Sequence, residues 1–137
     1  MVILNKEVIT IKSEQDAVFF RNRVTEHAVK IRMTLINQTK LLTAASELLR
    51  NMLRYAGTGI VVCEVLSALN LKTGIRLTFI DKGPGIKNLE EAMKDGFSTT
   101  KSLGIGLPGA KRLVNEFEIE SSMEKGTSVM ILKWQNV

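Results

Sequence analysis

The chain has 137 residues, 45% hydrophobic and 24% charged, enough for one domain with a real hydrophobic core, so a second domain is not expected. Its 19 Lys and Arg against 14 Asp and Glu give a net charge of +5, which suits an anionic small molecule or an acidic protein surface as well as nucleic acid. The basic residues are dispersed and few aromatics stand near them, so no base-stacking platform and no nucleic-acid partner is expected. One cysteine, Cys63, falls in an apolar strand pattern and is expected as a buried free thiol; neither a disulfide framework nor a cysteine zinc site is expected from it. No apolar run is long enough to span a bilayer, and the N-terminus lacks the basic segment and apolar core of a signal peptide. A soluble, cytoplasmic protein without a membrane partner is the expectation.

In chain order, Glu7 to Lys12 alternates as a strand through Val8, Ile9 and Ile11. Ser13 stands three residues before Asp16, a helix start in which the acid also favours the positive end of the helix. Ala17, Phe20, Val24, Ala28 and Ile31 continue that helix as an apolar stripe. His27 lies beside the stripe with no second histidine to share a metal; it is read as an exposed or edge residue and given no role. After a short loop at Arg32 to Thr34, a second helix is predicted over Leu35 to Ala56, with Leu41, Ala44, Ala45, Leu48 and Met52 as its apolar band. Glu47 and Asn51 are four apart and share one side of it, and Tyr55 continues their row. A carboxylate there could order or deprotonate a hydroxyl, and an asparagine oxygen could help complete a magnesium shell made mostly of phosphates and waters. Judged alone, the pair also suits an ordinary solvated face, with Arg50 and Arg54 alongside.

Gly57-Thr58-Gly59 ends the second helix, and strands at Ile60 to Leu69 and Ile75 to Ile80 form an antiparallel hairpin around a turn at Asn70 to Gly74. The stretch from Ile80 to Gly109, IDKGPGIKNLEEAMKDGFSTTKSLGIGLPG, carries the chemistry. Asp81 sits where the strand stops and, ionised, can only accept hydrogen bonds; an exocyclic base amine is one donor it could read. Gly83 and Gly85 around Pro84 make a close-fitting, rigid loop, and Leu89 to Met93 forms a short helix at most. Gly104 and Gly106 precede Pro108, which suits the first turn of a following helix, so free amides there would suit phosphate oxygens. Either loop alone could be only a sharp turn; the two, with a Ser/Thr cluster between them, look built for one nucleotide-like anion. Ala110, Leu113 and Val114 mark the face of that helix, Lys111 and Arg112 could reach its surroundings or a partner, and strands at Phe117 to Ser122 and Thr127 to Trp134 close the chain. The Thr127 hydroxyl could assist an aspartate in reading a base, or the residue could be an ordinary β-branched strand position.

Helices on one face of a mixed, largely antiparallel sheet, a two-layer α/β sandwich, follow from this order. Neither a dinucleotide-binding βαβ array nor a Gly-x-x-x-x-Gly-Lys-Ser/Thr phosphate loop is present, so an ATP site here needs other machinery.

Three stretches resemble, in order, the motifs of the GHKL (Bergerat) ATP-binding fold of histidine kinases, type II topoisomerases, heat-shock chaperones and mismatch-repair ATPases. ELLRNMLRYA from Glu47 resembles its N-box, DKGPGI from Asp81 its first glycine box, and KSLGIGLPGAKRL from Lys101 its second. The wording at Asp95 to Thr99 and Leu107 to Phe117 is similar to the small serine/threonine kinases of bacterial partner-switching systems, the anti-sigma-factor kinase family, and to its RsbT-type switch kinases in particular. The resemblance spans essentially the whole chain and implies a single ATPase domain, residues 1–137, acting as a kinase.

It implies ATP and Mg2+ as cofactors, with Asn51 on the metal and Glu47 as catalytic base. Asp81 would accept the adenine amine, Gly83, Gly85 and Ile86 would shape the adenine side, and Thr127 would bear on adenine through water. Ser98, Thr99, Thr100, Lys101, Leu103, Gly104, Ile105, Gly106 and Leu107 would form a lid around the phosphates, with Lys101 as its cation or simply solvated. The implied substrate is a Ser or Thr of a STAS-domain antagonist protein, and the implied later partner a regulatory phosphatase. A kinase that sequesters a sigma factor directly is the nearest alternative, and a non-catalytic, nucleotide-gated interaction module a more distant one. Oligomeric state is left open.

Overall fold

A computed structural model describes residues 1–83, 93 and 106–136. Its elements are β1 (Val2–Ile11), α1 (Glu14–Lys30), α2 (Leu35–Tyr55), β2 (Gly59–Ser67), β3 (Thr73–Asp81), α3 (Gly106–Arg112), β4 (Glu116–Ser122) and β5 (Gly126–Trp134). The five strands form one sheet in the order β1-β2-β3-β5-β4, and every pairing among them is antiparallel.

Alternation decides which side of each strand meets the helices. Ile9 and Ile11 of β1, Val61 and Cys63 of β2, Ile75, Leu77 and Phe79 of β3, and Val129 and Ile131 of β5 are buried in one cluster with Phe20, Val24, Leu41, Leu48 and Leu49 from α1 and α2. Each large side chain so buried contributes about 1.5–3 kcal/mol relative to exposure. Phe20 meets Phe79 edge to face, ring centroids 5.8 Å apart, and so fastens α1 to the middle of the sheet. On the opposite sheet face a smaller cluster gathers Leu66, Leu132 and Trp134, with the Lys72 ammonium 4.5 Å from the Trp134 ring centroid.

Local chemistry sets the helix starts. The Ser13 hydroxyl accepts the Asp16 amide at 3.3 Å, and the Asp16 carboxylate accepts the Lys12 amide at 2.9 Å, so α1 begins where the Ser-x-x-Asp spacing predicts. Thr34 caps α2 by accepting the Asn37 amide, while buried Asn37 donates to the Trp134 carbonyl at 3.1 Å. This fixes the start of α2 against the end of β5.

Most boundaries shift by one or two residues from the sequence expectation, β2 ending at Ser67 rather than Leu69 and β3 beginning at Thr73 rather than Ile75, and two others differ more informatively. β1 begins at Val2, because residues 2 to 6 pair with β2 from Ser67 onward through an irregularity between Ile3 and Asn5, although Val2, Ile3 and Leu4 are exposed and show no alternating burial. α3 ends at Arg112, and Leu113 and Val114 pack against the core from beyond it. The expected short helix at Leu89 to Met93 lies, apart from Met93, outside the described residues. Among the described residues no helix is long and apolar enough to cross a membrane.

Candidate active site

α2 supplies the first half of the site. Its apolar band faces the sheet, and one position round the helix the Glu47–Asn51–Tyr55 row runs from buried Glu47, through half-buried Asn51, to Tyr55, which is 55% exposed. Glu47 is 2% exposed, far too buried for a solvated helix face. Its charge is satisfied at both oxygens: Oε1 accepts the Gly106 backbone N–H at 2.8 Å, and Oε2 forms a close ion pair with the Arg50 guanidinium. Gly106, at φ +71°, is the first residue of α3 and adopts a backbone conformation that glycine tolerates without strain. The second glycine loop therefore ends on the N-box carboxylate, and the Gly106 amide is not free as the loop pattern alone suggested.

The end of β3 supplies the other half. Asp81 faces Thr127 across the β3–β5 ladder, and Thr127 faces Ser121 across the β4–β5 ladder. The Thr127 and Ser121 hydroxyls lie 2.7 Å apart and share a hydrogen bond. Asp81 Oδ1 accepts the Gly83 amide at 2.9 Å, an Asx-type turn that fixes the carboxylate.

Two glycines bring these halves together. A Cβ on Gly83 would lie 2.6 Å from the Ala56 Cβ, so the turn after Asp81 packs directly on the C-cap of α2. A Cβ on Gly126, at φ +84°, would lie 2.1 Å from the Asp81 carbonyl oxygen, so the strand beside Asp81 approaches as closely as backbone allows. The end of β3 thus meets the C-terminal end of α2, from which the Glu47–Asn51 row runs back along the helix. These donors and acceptors fit a nucleotide with its magnesium ion: a rigid carboxylate for a base amine, an asparagine oxygen for a hard cation, and glycines where a side chain would intrude.

A cleft of about 610 Å³ between α1 and α2 reaches the same carboxylate, with Arg21, Thr43, Ser46, Glu47 and Arg50 in its lining. Sequence reading took Arg50 only as a neighbour on a solvated face and passed over Ser121. The i,i+3 spacing of Glu47 and Arg50 signals the first, whereas Ser121 is marked only by its cross-strand register with Thr127. Of the predicted site residues, Glu47, Asn51, Asp81, Gly83, Gly106, Leu107 and Thr127 are described, with Leu107 buried in the core. Gly85, Ile86, Ser98, Thr99, Thr100, Lys101, Leu103, Gly104 and Ile105 lie outside the described residues.

Residues 36–136 match the family model of the histidine kinase-, DNA gyrase B-, and HSP90-like ATPases. The chain belongs to that family, whose fold is a nucleotide-binding one. The serine/threonine-protein kinase RsbT of Bacillus subtilis (strain 168) is 37% identical over 130 residues, covering 95% of this chain and 97% of that one. An anti-sigma F factor of Caldanaerobacter subterraneus subsp. tengcongensis is 28% identical over 131 residues, covering 93% and 92%. The crystal structure of the RsbU and RsbW domains of a Mycobacterium tuberculosis protein superposes with a TM-score of 0.61 at 18% identity, over 93% of this chain and 32% of that one, which shows the shared fold. Within its family the chain is a protein-kinase domain of the partner-switching kind, related to RsbT and to the anti-sigma factors.

Proposed function

We propose that this chain, as one ATPase domain over residues 1–137, is an ATP- and magnesium-dependent serine/threonine kinase whose substrate is a STAS-domain antagonist protein of a bacterial partner-switching pathway. The observation that carries this reading is the packing of the Asp81–Gly83 turn against the C-cap of α2, which joins a base-reading carboxylate to the Glu47–Asn51 row. Similarity to RsbT over nearly the whole of both chains supports the choice of acceptor.

In this mechanism Asp81 selects adenine: Gly83 holds one oxygen and the other accepts the exocyclic amine. Thr127, tied to Ser121, bears on the same base through water. Asn51 would hold magnesium, which when bound supplies charge neutralisation on the phosphates. Ser98 to Leu107, with Lys101 as cation, would close over the phosphates and exclude water. Glu47 orients the acceptor hydroxyl and takes its proton as the hydroxyl oxygen bonds to the γ-phosphorus and the bond to the ADP oxygen breaks. Its hold on the Gly106 amide ties this base to the first residue of α3.

Incubation with magnesium, γ-labelled ATP and a panel of STAS proteins from the same organism tests the reading. Label on a Ser or Thr of one STAS protein, lost with Asn51→Ala, is the expected result. ATP binding without label transfer to any folded STAS protein would replace the kinase with a nucleotide-gated binding module. After transfer, release of the STAS partner would free the chain to bind and activate a regulatory phosphatase. The similarity to anti-sigma F factors favours a second reading, direct capture of a sigma factor. Pull-down separates the two by whether a sigma factor or a phosphatase is retained.

A further inference from the structure

We propose that Glu7, His27 and Cys63 form a three-ligand site for a zinc-like divalent cation where β1, α1 and β2 meet, separate from every residue of the nucleotide site. The antiparallel register places Glu7 directly opposite Cys63, both on the helix-facing side of the sheet. His27, in the last turn of α1, closes over that pair, with Nε2 2.9 Å from Glu7 Oε1. One donor atom from each residue lies within 4.8 Å of the other two. His27 is 7% and Cys63 2% exposed, so the cluster lies beneath the surface, with Glu7 as its half-buried outer member. Among the described residues no other group of three such side chains converges in this way.

Thiolate, imidazole and carboxylate are the donor types of zinc sites, with bonds of about 2.3, 2.0–2.1 and 2.0–2.2 Å. A tetrahedral ion with those bonds needs its donors about 3.3–3.8 Å apart, so the cluster requires adjustments on the order of 1 Å. Glu7 already has a supporting arginine. The Arg23 Nε and Nη2 lie 3.1 and 3.0 Å from the same Oε1 that meets His27, which leaves Oε2 for a further partner among the described residues. Arg23 then serves as the outer hydrogen-bond partner that orients a ligating carboxylate. One thiolate and one carboxylate supply two negative charges for a dication, beside the partly exposed Arg23 guanidinium.

Burial, and then the nearby Glu7 charge, push the Cys63 thiol up to about 12, so without a cation it keeps its proton. On binding, the S–H bond breaks, a sulfur–metal bond forms and the proton leaves to solvent. Three protein ligands leave the fourth tetrahedral position to water. An ion so held would staple the edge strand to α1 and to the second strand of the sheet. A purely structural Glu7–Arg23–His27 cluster needs no thiol and binds no metal, which separates the two explanations.

Cobalt(II) chloride is titrated into the full-length chain, with no magnesium or nucleotide present and with a non-chelating phosphine as reductant. The expected result is saturation at one equivalent, with a near-ultraviolet thiolate-to-cobalt charge-transfer band and the visible bands of tetrahedral cobalt, both bleached by one equivalent of zinc(II). Cys63→Ala removes the charge-transfer band. His27→Gln and Glu7→Gln weaken zinc uptake, measured against a chromophoric chelator, by at least the 10–100-fold (about) that an outer-shell partner costs. Glu26→Gln, which alters only the exposed partner of Arg23, leaves uptake unchanged. Absence of the charge-transfer band at one equivalent in the unmodified chain overturns the site whatever the variants do, as does uptake by Cys63→Ala and His27→Gln equal to that of the unmodified chain.

Discussion

The Glu47 carboxylate accepts the Gly106 backbone N–H at 2.8 Å in a buried hydrogen bond that joins the middle of α2 to the first residue of α3 across 59 positions of chain. In the proposed mechanism one side chain would therefore have two jobs, holding the Gly106 amide and serving as base. Glu47→Gln separates them. The amide oxygen keeps an acceptor for Gly106, but the NH2 that replaces Oε2 meets the Arg50 guanidinium donor to donor, so the melting temperature should fall less than in Glu47→Ala, while the missing basic oxygen should lower phosphoryl transfer by about 10²–10⁴-fold. Glu47→Ala should lose both, leaving a buried amide unpaired at a cost of about 1–3 kcal/mol. Wild-type transfer by a folded Glu47→Gln protein in the γ-labelled ATP assay would remove Glu47 from the mechanism.

At Asp81 the same logic applies with one atom exchanged. Asp81→Asn can still offer an oxygen to the Gly83 amide, so the turn and the fold should persist. Its NH2 would then face the adenine amine donor to donor. ATP affinity should fall by about 1–3 kcal/mol, roughly 5–150-fold, with thermal stability unchanged. Calorimetric titration with ATP and with GTP checks this, and equal ATP affinity for both proteins would show that adenine is read elsewhere.

Two glycines with similar backbone angles should respond very differently to alanine. Gly57 has φ +81° and no atom within 4 Å of an added Cβ, so Gly57→Ala should cost only the left-handed penalty of about 1–2 kcal/mol. Gly126 has φ +84° but its added Cβ would meet the Asp81 carbonyl at 2.1 Å and the Lys82 Cα at 2.7 Å, both backbone. Gly126→Ala should therefore be the more destabilising by urea denaturation and should also weaken nucleotide binding, because the yielding atoms belong to Asp81 and its neighbour. Equal stability losses in the two variants would contradict the close approach of β5 to β3.

On the sheet face away from the helices, Arg76 grips Glu64 with two parallel hydrogen bonds of 2.8 and 3.1 Å between directly opposite residues of β2 and β3. Glu64 is 6% exposed, so Arg76→Met should strand its charge and destabilise by about 1–3 kcal/mol. Pairing that change with Glu64→Met should recover most of the loss, since an apolar pair beside Leu66 and Leu132 suits the smaller cluster. Chemical denaturation of the single and double variants gives the coupling directly, and additive losses would show that the two side chains act independently.

Local rules made much of this protein readable before any coordinates. The period-2 and period-3.6 patterns gave the strands and helices, because alternate strand residues and every third or fourth helix residue must share a face. Ser13 and the glycines after Tyr55 marked helix ends through caps that depend only on neighbours. The spacing of Glu47 and Asn51 put them on one row for the same reason.

Only the tertiary structure decided what those rows meet. His27 illustrates the limit: read as an exposed or edge residue, it is 7% exposed, because α1 lies across Glu7 and Cys63, 20 and 36 positions away along the chain. From a single cysteine no cysteine zinc site was expected, but register and helix packing, which no local pattern encodes, bring a carboxylate, an imidazole and that thiol together. Likewise the sequence marks Glu47 as a polar interruption of an apolar helix, and only folding shows that its carboxylate is buried against Arg50 and the start of α3. Periodicity is a property of neighbours along the chain and survives in the sequence; burial and partnership belong to segments brought together from afar, and only packing fixes them.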